Sequence, residues 1–403
     1  MKNKNSLFKL TGKVQHYQWG GSSFLPGLLN IANIDGNPFA EYWLGAHDNF
    51  PAAIQGADPK FLNEYVQENS YVLGPHVEQQ FGRLPYLLKV LDVKDMLSIQ
   101  VHPSKESAML EFEKENKAGI SLQDAKRNYK DDNHKPELML ALSDFWLLHG
   151  FKSEEKIRST IGAIKEFDFM LALFEEGSYK KLYSTIMEMD QQQVNKILEP
   201  VLERIITQYT TNEFQKSDAN FWAARAALTF NQPGVTDRGI FSVYLLNLVN
   251  LTFEEAIFQD AGVLHAYLEG QNMEIMANSD NVLRGGLTPK HIDVAELIKH
   301  VNFEATIPQI IKGTKTTPYE EVYLSPAADF QLSRLSLNTG QFTDVVCTST
   351  EIFFLLSGIV EIKESNNQAL ELERGEAAVA FAGSTLSISG KKNTVLFRAS
   401  VPS

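Results

Sequence analysis

The sequence is almost free of cysteine, since Cys347 is the only one among 403 residues. A single cysteine excludes a disulfide framework within the chain, and a reducing compartment fits this composition best. Long apolar runs are also missing, because none approaches the ~20 consecutive apolar residues that a membrane-spanning helix needs. We therefore predict a cytoplasmic protein with no membrane partner.

Positive charge is scarce as well. The 37 Lys and Arg residues face 50 Asp and Glu residues, which gives a formal net charge of -13 at pH 7. A nucleic-acid-binding protein normally presents a basic face, so we expect no nucleic-acid partner. An anionic ligand would have to be attracted by a local cluster of Lys or Arg against the overall field.

The length of the chain exceeds what one hydrophobic core usually holds, so we expect more than one domain. Residues 1–151 and 236–310 contain short apolar runs broken by turn residues, a pattern that predicts strands. Leu84–Leu91 and Ile240–Leu246 are examples of such predicted strands. We assign the two ranges to one discontinuous β domain.

The apolar period between these ranges, over residues 152–235, is helical. Asp190 and Gln193 stand in the order of a capping box before the clearest apolar stripe. Pro200 lies inside that stripe and predicts a kink or a restart of the helix. The stripe consists of Val194, Ile197, Leu198, Val201, Leu202 and Ile205. The sequence therefore predicts a helical insertion within the β domain.

The strand pattern returns over residues 311–403. The apolar residues of Glu351–Gly358 are consecutive, which does not suit an amphipathic helix. Glu373–Glu376 predicts a turn before the next apolar run. We expect a second, small β domain here, organised as a β-barrel.

Gln100 and His102 form the first candidate metal-binding pair. Ser98–Pro103 alternates in character like a strand, and residues two apart in a strand face the same side. The two side chains therefore point together, with Ser98 on the same face. A pair of this kind in a strand is structural more often than functional.

Glu137 and His265 are two further candidates, and each has an ordinary structural explanation. Glu137 precedes the apolar run Leu138–Leu142, where an exposed loop carboxylate is the commoner case. His265 lies in an apolar strand after Gly262, where a hydrogen-bonded core histidine is the default. Together with the first pair they supply two imidazoles, a carboxylate and an amide oxygen. This donor set suits Zn²⁺, and Fe²⁺, Mn²⁺ and Co²⁺ accept the same geometry.

The segment Asn278–His291 indicates the kind of chemistry. It places Asp280, Arg284 and Lys290 close together in a Gly-rich loop. Such a loop is also typical of a solvated turn. Beside a metal, however, it offers anion recognition and acid–base groups in an otherwise acidic protein.

Several of these segments together resemble the signature motifs of type I mannose-6-phosphate isomerases. They occur in that family's order, and the similarity covers nearly the whole chain. The resemblance implies a mainly β fold, with a cupin-type jelly-roll catalytic domain, an α-helical insertion and a C-terminal β domain. The segments are Tyr17–Gly20, Ser98–Pro103, His134–Glu137, His265–Tyr267 and Ser279–Lys290.

The resemblance also implies an activity. Members of the family interconvert mannose 6-phosphate and fructose 6-phosphate, a step of carbohydrate metabolism that supports GDP-mannose biosynthesis. The expected partner is therefore a small sugar phosphate, and we expect a monomeric isomerase. Moving a proton between neighbouring carbons requires an enediol or enediolate intermediate, whose negative charge a metal ion and a guanidinium are suited to stabilise.

The resemblance further implies roles for individual residues. It implies one Zn²⁺ per chain, bound by Gln100, His102, Glu137 and His265. It implies catalytic positions for Arg284, Lys135, His134 and Asp280, and substrate-binding positions for Trp19, Ser98, Tyr267, Glu274 and Lys290. Lys135 is the first candidate for the base that acts on carbon, and His134 and Asp280 are candidates for opening the sugar ring.

The chain departs from the family pattern at two places. Leu264 stands directly before a metal histidine, where the family often has proline. His47 is followed by Asp48 and Asn49 where His-Pro is usual. Both departures lie beside the motifs and concern loop shape more than chemistry.

Two other functions remain open from the sequence. An Fe²⁺ cupin oxygenase would use His102, Glu137 and His265 as a two-His, one-carboxylate triad. Gln100 as a fourth ligand, with Arg284 nearby, counts against it. A non-catalytic sugar-phosphate-binding regulatory protein is the other alternative, and the presence of the whole polar set argues against it.

Overall fold

The computed structural model describes residues 6–402, apart from the side chains of residues 176 and 177. The ends of the predicted first and last ranges, residues 1–5 and Ser403, lie outside the described part. The strands of the N-terminal half are β1 (Leu7–Thr11), β2 (Lys13–Gln15), β3 (Glu41–Gly45), β4 (Ala53–Ile54), β5 (Tyr86–Val93), β6 (Ile99–Val101), β7 (Glu137–Ala141) and β8 (Phe145–Phe151). Those that follow are β9 (Leu246–Leu251), β10 (Ala256–Gln259), β11 (His265–Ala277), β12 (Leu283–Gly286), β13 (Thr314–Lys315), β14 (Glu320–Tyr323), β15 (Gln331–Leu337), β16 (Phe342–Val346), β17 (Glu351–Glu364), β18 (Ala369–Glu373), β19 (Ala377–Ala380) and β20 (Thr385–Ser400).

Helices connect these strands and also form a separate block. They are α1 (Phe24–Leu28), α2 (Leu62–Glu68), α3 (Pro75–Phe81), α4 (Lys105–Lys117), α5 (Glu154–Gly162), α6 (Asp168–Glu188), α7 (Gln191–Thr210), α8 (Ala219–Phe230), α9 (Gly239–Leu245) and α10 (Val294–His300). Short 3-10 turns occupy Ser70–Leu73 and Lys165–Phe167. Among the described residues, no helix combines the length and the apolar character needed to cross a bilayer.

The strands from β2 to β12, β4 excepted, form one sheet system that is organised around the long strand β11. The first half of β11 pairs with β6 and β8, and its second half pairs with β5 and β7. A bulge between Tyr267 and Glu269 separates the two halves. Because a bulge bends a strand, β11 belongs to two layers at once, and their facing apolar side chains form a core between them.

The remaining strands form a second sheet in the order β13-β14-β15-β20-β17-β19-β1-β4, with β16 on β20 and β18 on β17. Strand β1 pairs with β19, so the first described strand of the chain lies in the same sheet as the C-terminal strands. The domain division at residues 151, 236 and 310 stays a prediction.

The helical insertion is present as predicted, with α5 to α8 in the expected region. Asp190 caps α7 by accepting a hydrogen bond from the Gln193 N–H at 2.9 Å. The buried residues of α7 belong to the predicted apolar stripe. Of the kink or restart expected at Pro200, the restart does not occur, because α7 continues through that residue, and the kink stays a prediction.

One predicted strand is a helix. Ile240–Leu246 was expected to be a strand, but Gly239–Leu245 forms α9, and Leu246 begins β9. Every residue of α9 is buried. A helix that is buried on all sides carries no polar face, so its sequence shows the same continuous apolar run as a buried strand. The predicted strand at Leu84–Leu91 is confirmed by β5.

Candidate metal centre

Three side chains that are far apart in the sequence converge where β6, β7 and β11 meet. His102 directly follows β6, Glu137 opens β7 and His265 opens β11. Their candidate ligand atoms all lie within 4.8 Å of one another. The Nε2 atoms of His102 and His265 each stand 3.4 Å from an oxygen of the Glu137 carboxylate, and all three residues are buried.

The atoms that face each other in this cluster lack hydrogen bonds. His102 Nε2, His265 Nε2 and Glu137 Oε2 are buried without a hydrogen-bond partner. The Nδ1 atoms, by contrast, lie close to carbonyl oxygens. His102 Nδ1 stands 2.8 Å from the Asn281 carbonyl, and His265 Nδ1 stands 2.9 Å from the Val263 carbonyl. Because a carbonyl only accepts, each Nδ1 must carry the proton, which leaves the Nε2 lone pair directed at the cluster. Buried polar atoms are rarely left without a partner, so the set fits a divalent cation.

The protonation states also suit metal binding, which requires neutral imidazole and ionised carboxylate. Burial lowers the pKa of His102 to about 4, so this imidazole is neutral at pH 7. Burial raises the pKa of Glu137, but Lys135 and His102 outweigh that effect and hold the pKa well below its ordinary value. Glu137 is therefore an anion.

A row of polar residues crosses the strands beside the cluster. Gln100 on β6 lies directly opposite His265 on one side and directly opposite Arg284 on the other. His265 is in turn opposite His149 on β8. Residues directly opposite each other in neighbouring strands project to the same face of a sheet. This register brings Gln100 and Arg284 to the metal-facing side, and the role of Gln100 as a fourth ligand stays a prediction.

Several predicted site residues make contacts within the same interior. The Lys135 Nζ lies 3.3 Å from Glu137 Oε1. The Tyr267 hydroxyl donates to Glu274 Oε1 at 3.0 Å, and both residues are buried. Burial lowers the pKa of the Arg284 guanidinium. These positions agree with a polar pocket beside the metal cluster.

The other predicted site residues are more exposed than the cluster. His47 Nε2 stands 3.2 Å from Asp280 Oδ2. His134 turns toward the C-terminal sheet, where its Nε2 lies 3.0 Å from Asp329 Oδ2. Trp19 stacks on Tyr17 with ring centroids 5.8 Å apart. Ser98 is half-buried directly before β6, and Lys290 is exposed beyond β12.

Comparison with known proteins identifies the family. Residues 7–154 match the model of the phosphomannose isomerase type I catalytic domain. Mannose-6-phosphate isomerase of Escherichia coli strain K12 is 35% identical over 378 residues, which cover 92% of this chain and 93% of that protein. The chain belongs to the type I phosphomannose isomerase family. The human member is 32% identical over 430 residues, covering 98% of both chains.

Solved structures of the family share the fold. The crystal structure of mannose 6-phosphate isomerase from Salmonella typhimurium, bound to fructose 6-phosphate and zinc, matches with a TM-score of 0.87 and 34% identity. The match covers 99% of this chain and 100% of the other. The predicted fold class, a mainly β cupin protein with helices, is confirmed by this similarity.

The interior near the cluster contains a buried ion-pair network that the sequence reasoning missed. Lys89 on β5 lies 3.3 Å from Glu274 Oε2 and 3.5 Å from Glu41 Oε2. Its Nζ also stands 4.7 Å from the ring centroid of Trp43. Burial alone would lower the pKa of Lys89, but Glu41 and Glu274 outweigh it and raise the pKa. A single cation in the middle of an apolar strand run was the available signal, because such a charge is almost never buried without partners.

Proposed function

We propose that this chain is a zinc-dependent aldose–ketose isomerase that interconverts D-mannose 6-phosphate and D-fructose 6-phosphate. The observation that carries the proposal is the buried group of His102, Glu137 and His265, whose facing atoms have no hydrogen-bond partner. The zinc and fructose 6-phosphate in the Salmonella relative agree with it. We assign Zn²⁺ to these three residues together with Gln100.

The chemistry is a proton transfer between neighbouring carbons through an enediol or enediolate. When bound, zinc supplies a Lewis acid beside the sugar oxygens. We assign to the Arg284 guanidinium the stabilisation of the negative charge that develops on those oxygens, and the register that puts Arg284 on the face of Gln100 and His265 supports this role. A preorganised cation in a water-poor site stabilises such charge without reorganising during the reaction.

Lys135 is our candidate for the base that acts on carbon, a role that requires its amine to be neutral when the sugar is bound. Its Nζ lies 3.3 Å from Glu137 Oε1, at the edge of the cluster, and the residue is 9% exposed. A general base must stand within hydrogen-bond reach of the proton that it removes, and the contact with Glu137 supports this role by keeping Lys135 beside the proposed zinc ligands.

Asp280 and His134 are our candidates for the proton transfers on oxygen that open the sugar ring. Burial raises the pKa of Asp280, but the contact with His47 outweighs it, so the pKa lies below its ordinary value. Asp280 is therefore an anion that can accept a proton. For substrate binding we propose Trp19, Ser98, Tyr267, Glu274 and Lys290.

A coupled assay with the Glu137→Gln variant tests the proposal. We expect the variant to lose bound zinc and isomerase activity together, because an amide replaces the only carboxylate of the three clustered ligands. Elemental analysis measures the zinc content, and the coupled assay measures the turnover of mannose 6-phosphate. The parent protein is also assayed with and without a chelator.

Glu113→Gln on the exposed face of α4 is the matched control, and it should keep both zinc and activity. Parent-like turnover in a zinc-free Glu137→Gln variant would refute the proposal. Oxygen consumption by the iron-loaded protein would instead support the oxygenase alternative.

A cytoplasmic location and a monomeric state remain predictions. Light scattering after gel filtration measures the oligomeric state.

A further inference from the structure

The loop that follows Arg284 contains a leucine in an unusual backbone conformation. Leu287 has a φ of 53°, in the left-handed region that leucine rarely adopts. Its side chain is 1% exposed and packs in the hydrophobic core shared with the helical insertion. A conformation of this kind persists only where the surrounding structure holds it.

The carboxylate of Asp237 supplies that restraint. Its Oδ1 accepts hydrogen bonds from the Gly239 N–H at 2.7 Å and the Leu287 N–H at 2.9 Å. Its Oδ2 accepts from the Thr288 N–H at 3.0 Å. Hydrogen bonds to an ionised carboxylate are stronger than those between neutral groups. One side chain thus joins the start of α9 to the two residues that directly follow β12.

The two backbones are also in close contact at this junction. A Cβ added to Gly239 would lie 2.6 Å from the Leu287 nitrogen, and one added to Gly286 would lie 2.3 Å from the Gly239 Cα. Neither backbone has room to move toward the other. The position of the loop relative to α9 is therefore set by direct contact as well as by the Asp237 carboxylate.

The junction lies next to the proposed catalytic arginine. Arg284 is opposite Gln100, whereas Gly286 is opposite Ile99, so β12 contains a bulge at Gly285. A bulge re-aims the neighbouring side chains of its strand. The direction of Arg284 consequently depends on how the chain leaves the bulge, and the Asp237 contacts begin only three residues after Arg284.

We propose that Asp237 is a positioning residue for catalysis, which holds the loop after the bulge so that Arg284 faces the metal ligands. The role of Arg284 in this inference rests on the proposed function. Asp237 is not among the proposed metal ligands or substrate-binding residues. It acts from the segment between α8 and α9, which thereby contributes to the active site without lining it.

The test compares Asp237→Ala and Asp237→Asn with the parent holoenzyme. We expect Asp237→Ala to lower kcat/KM at least tenfold with zinc content unchanged. Asp237→Asn should lower kcat/KM less, because its amide oxygen still accepts hydrogen bonds. Some loss should remain, because its amide nitrogen cannot accept them. Asp218→Ala is the matched control, because Asp218 caps α8 by accepting from the Asn220 N–H at 2.8 Å. It should lower thermal stability while leaving kcat/KM unchanged.

A double-mutant cycle with Arg284→Ala separates positioning from general destabilisation. If Asp237 acts through Arg284, removing it in the Arg284→Ala background should change kcat/KM less than twofold, because coupled residues are not additive. Parent-like kcat/KM in Asp237→Ala, or an independent tenfold loss in both backgrounds, would overturn the inference. If Asp237→Ala does not fold, the same cycle with Asp237→Asn decides.

The cycle also distinguishes the two proposals. Parent-like turnover of Arg284→Ala alone would overturn the catalytic role of Arg284, and this inference with it. A large loss in Arg284→Ala with none in either Asp237 variant would overturn the inference alone.

Discussion

At the scale of single residues, His149 shows how burial tunes the surroundings of the metal cluster. It lies opposite His265 in the sheet and is 5% exposed. Its Nδ1 donates to Gln259 Oε1 at 2.7 Å, and Gln259 is in turn opposite Glu137. The two strand neighbours of metal ligands are thus joined by a hydrogen bond. Burial lowers the pKa of His149 to about 4.

This pKa predicts a pH dependence of stability. Between pH 6.5 and 4 the unfolded chain protonates His149 while the folded protein does not, so the free energy of unfolding decreases as the pH falls through that window. A His149→Gln variant lacks this contribution. When the pH falls from 7 to 5, the free energy of unfolding of the metal-free parent should decrease by about 2 kcal/mol more than that of the variant.

Urea unfolding at the two pH values, in the presence of a chelator, measures the difference. His76→Gln on α3 removes an exposed histidine and serves as the control. Its free energy of unfolding should change with pH as that of the parent does. Equal losses in the parent and the His149→Gln variant would contradict the assignment.

At the scale of elements, local sequence signals and tertiary contacts have separate effects. Helix α7 was predicted from its apolar stripe and its cap, both of which act within the element. Strand β11 depends on contacts with four other strands, and only those contacts place His265 at one end and Glu274 farther along. We expect that an element such as α7, whose signals act within the element, can be altered without affecting the active site.

The cap of α7 provides a test of that separation. Asp190→Ala removes the acceptor for the Gln193 N–H, and loss of such a cap typically costs about 1 kcal/mol of unfolding free energy. The isomerase kcat should remain that of the parent. Urea denaturation measures the stability, and Gln192→Ala, in the same helical turn but outside the cap, should show a smaller loss. A changed kcat in Asp190→Ala would show that α7 is coupled to the site.

At the scale of the whole molecule, the C-terminal sheet contacts the catalytic sheet system directly. The Tyr86 hydroxyl on β5 donates to the carbonyls of Thr350 and Ala399, each at 3.0 Å. A shared hydrophobic core spans both sheets. Asp329, between β14 and β15, reaches His134 near the candidate metal ligand Glu137. The C-terminal sheet therefore contributes a carboxylate next to the proposed site.

This contact predicts an effect of the C-terminal sheet on turnover. Asp329→Ala should lower kcat by roughly tenfold, because His134 loses the group that orients its ring. Zinc content should be unchanged, since Asp329 is not a ligand. The coupled assay and elemental analysis measure the two quantities. Asp344→Ala replaces an exposed acidic residue on β16 and is the control. A parent-like kcat in Asp329→Ala would exclude a role for the contact between Asp329 and His134.

Much of the fold and the candidate metal ligands could be predicted from the sequence alone. His102, Glu137 and His265 were each weak signals, and they became recognisable as a metal site through their joint occurrence and through the resemblance to the isomerase motifs. The helical insertion was recognisable because its apolar period is a local property. Gly239–Leu245 was mistaken for a strand because a helix buried on all sides has no polar face to reveal its period.

Only the tertiary structure decided which distant residues meet. The row from His149 through His265 and Gln100 to Arg284 depends on strand register, which no local pattern specifies. The contacts of Asp237 with Leu287 and of Asp329 with His134 likewise join segments about fifty and two hundred residues apart. Sequence determined the chemical groups that this protein carries. Packing determined their neighbours, because hydrogen bonds and burial depend on distance in space rather than along the chain.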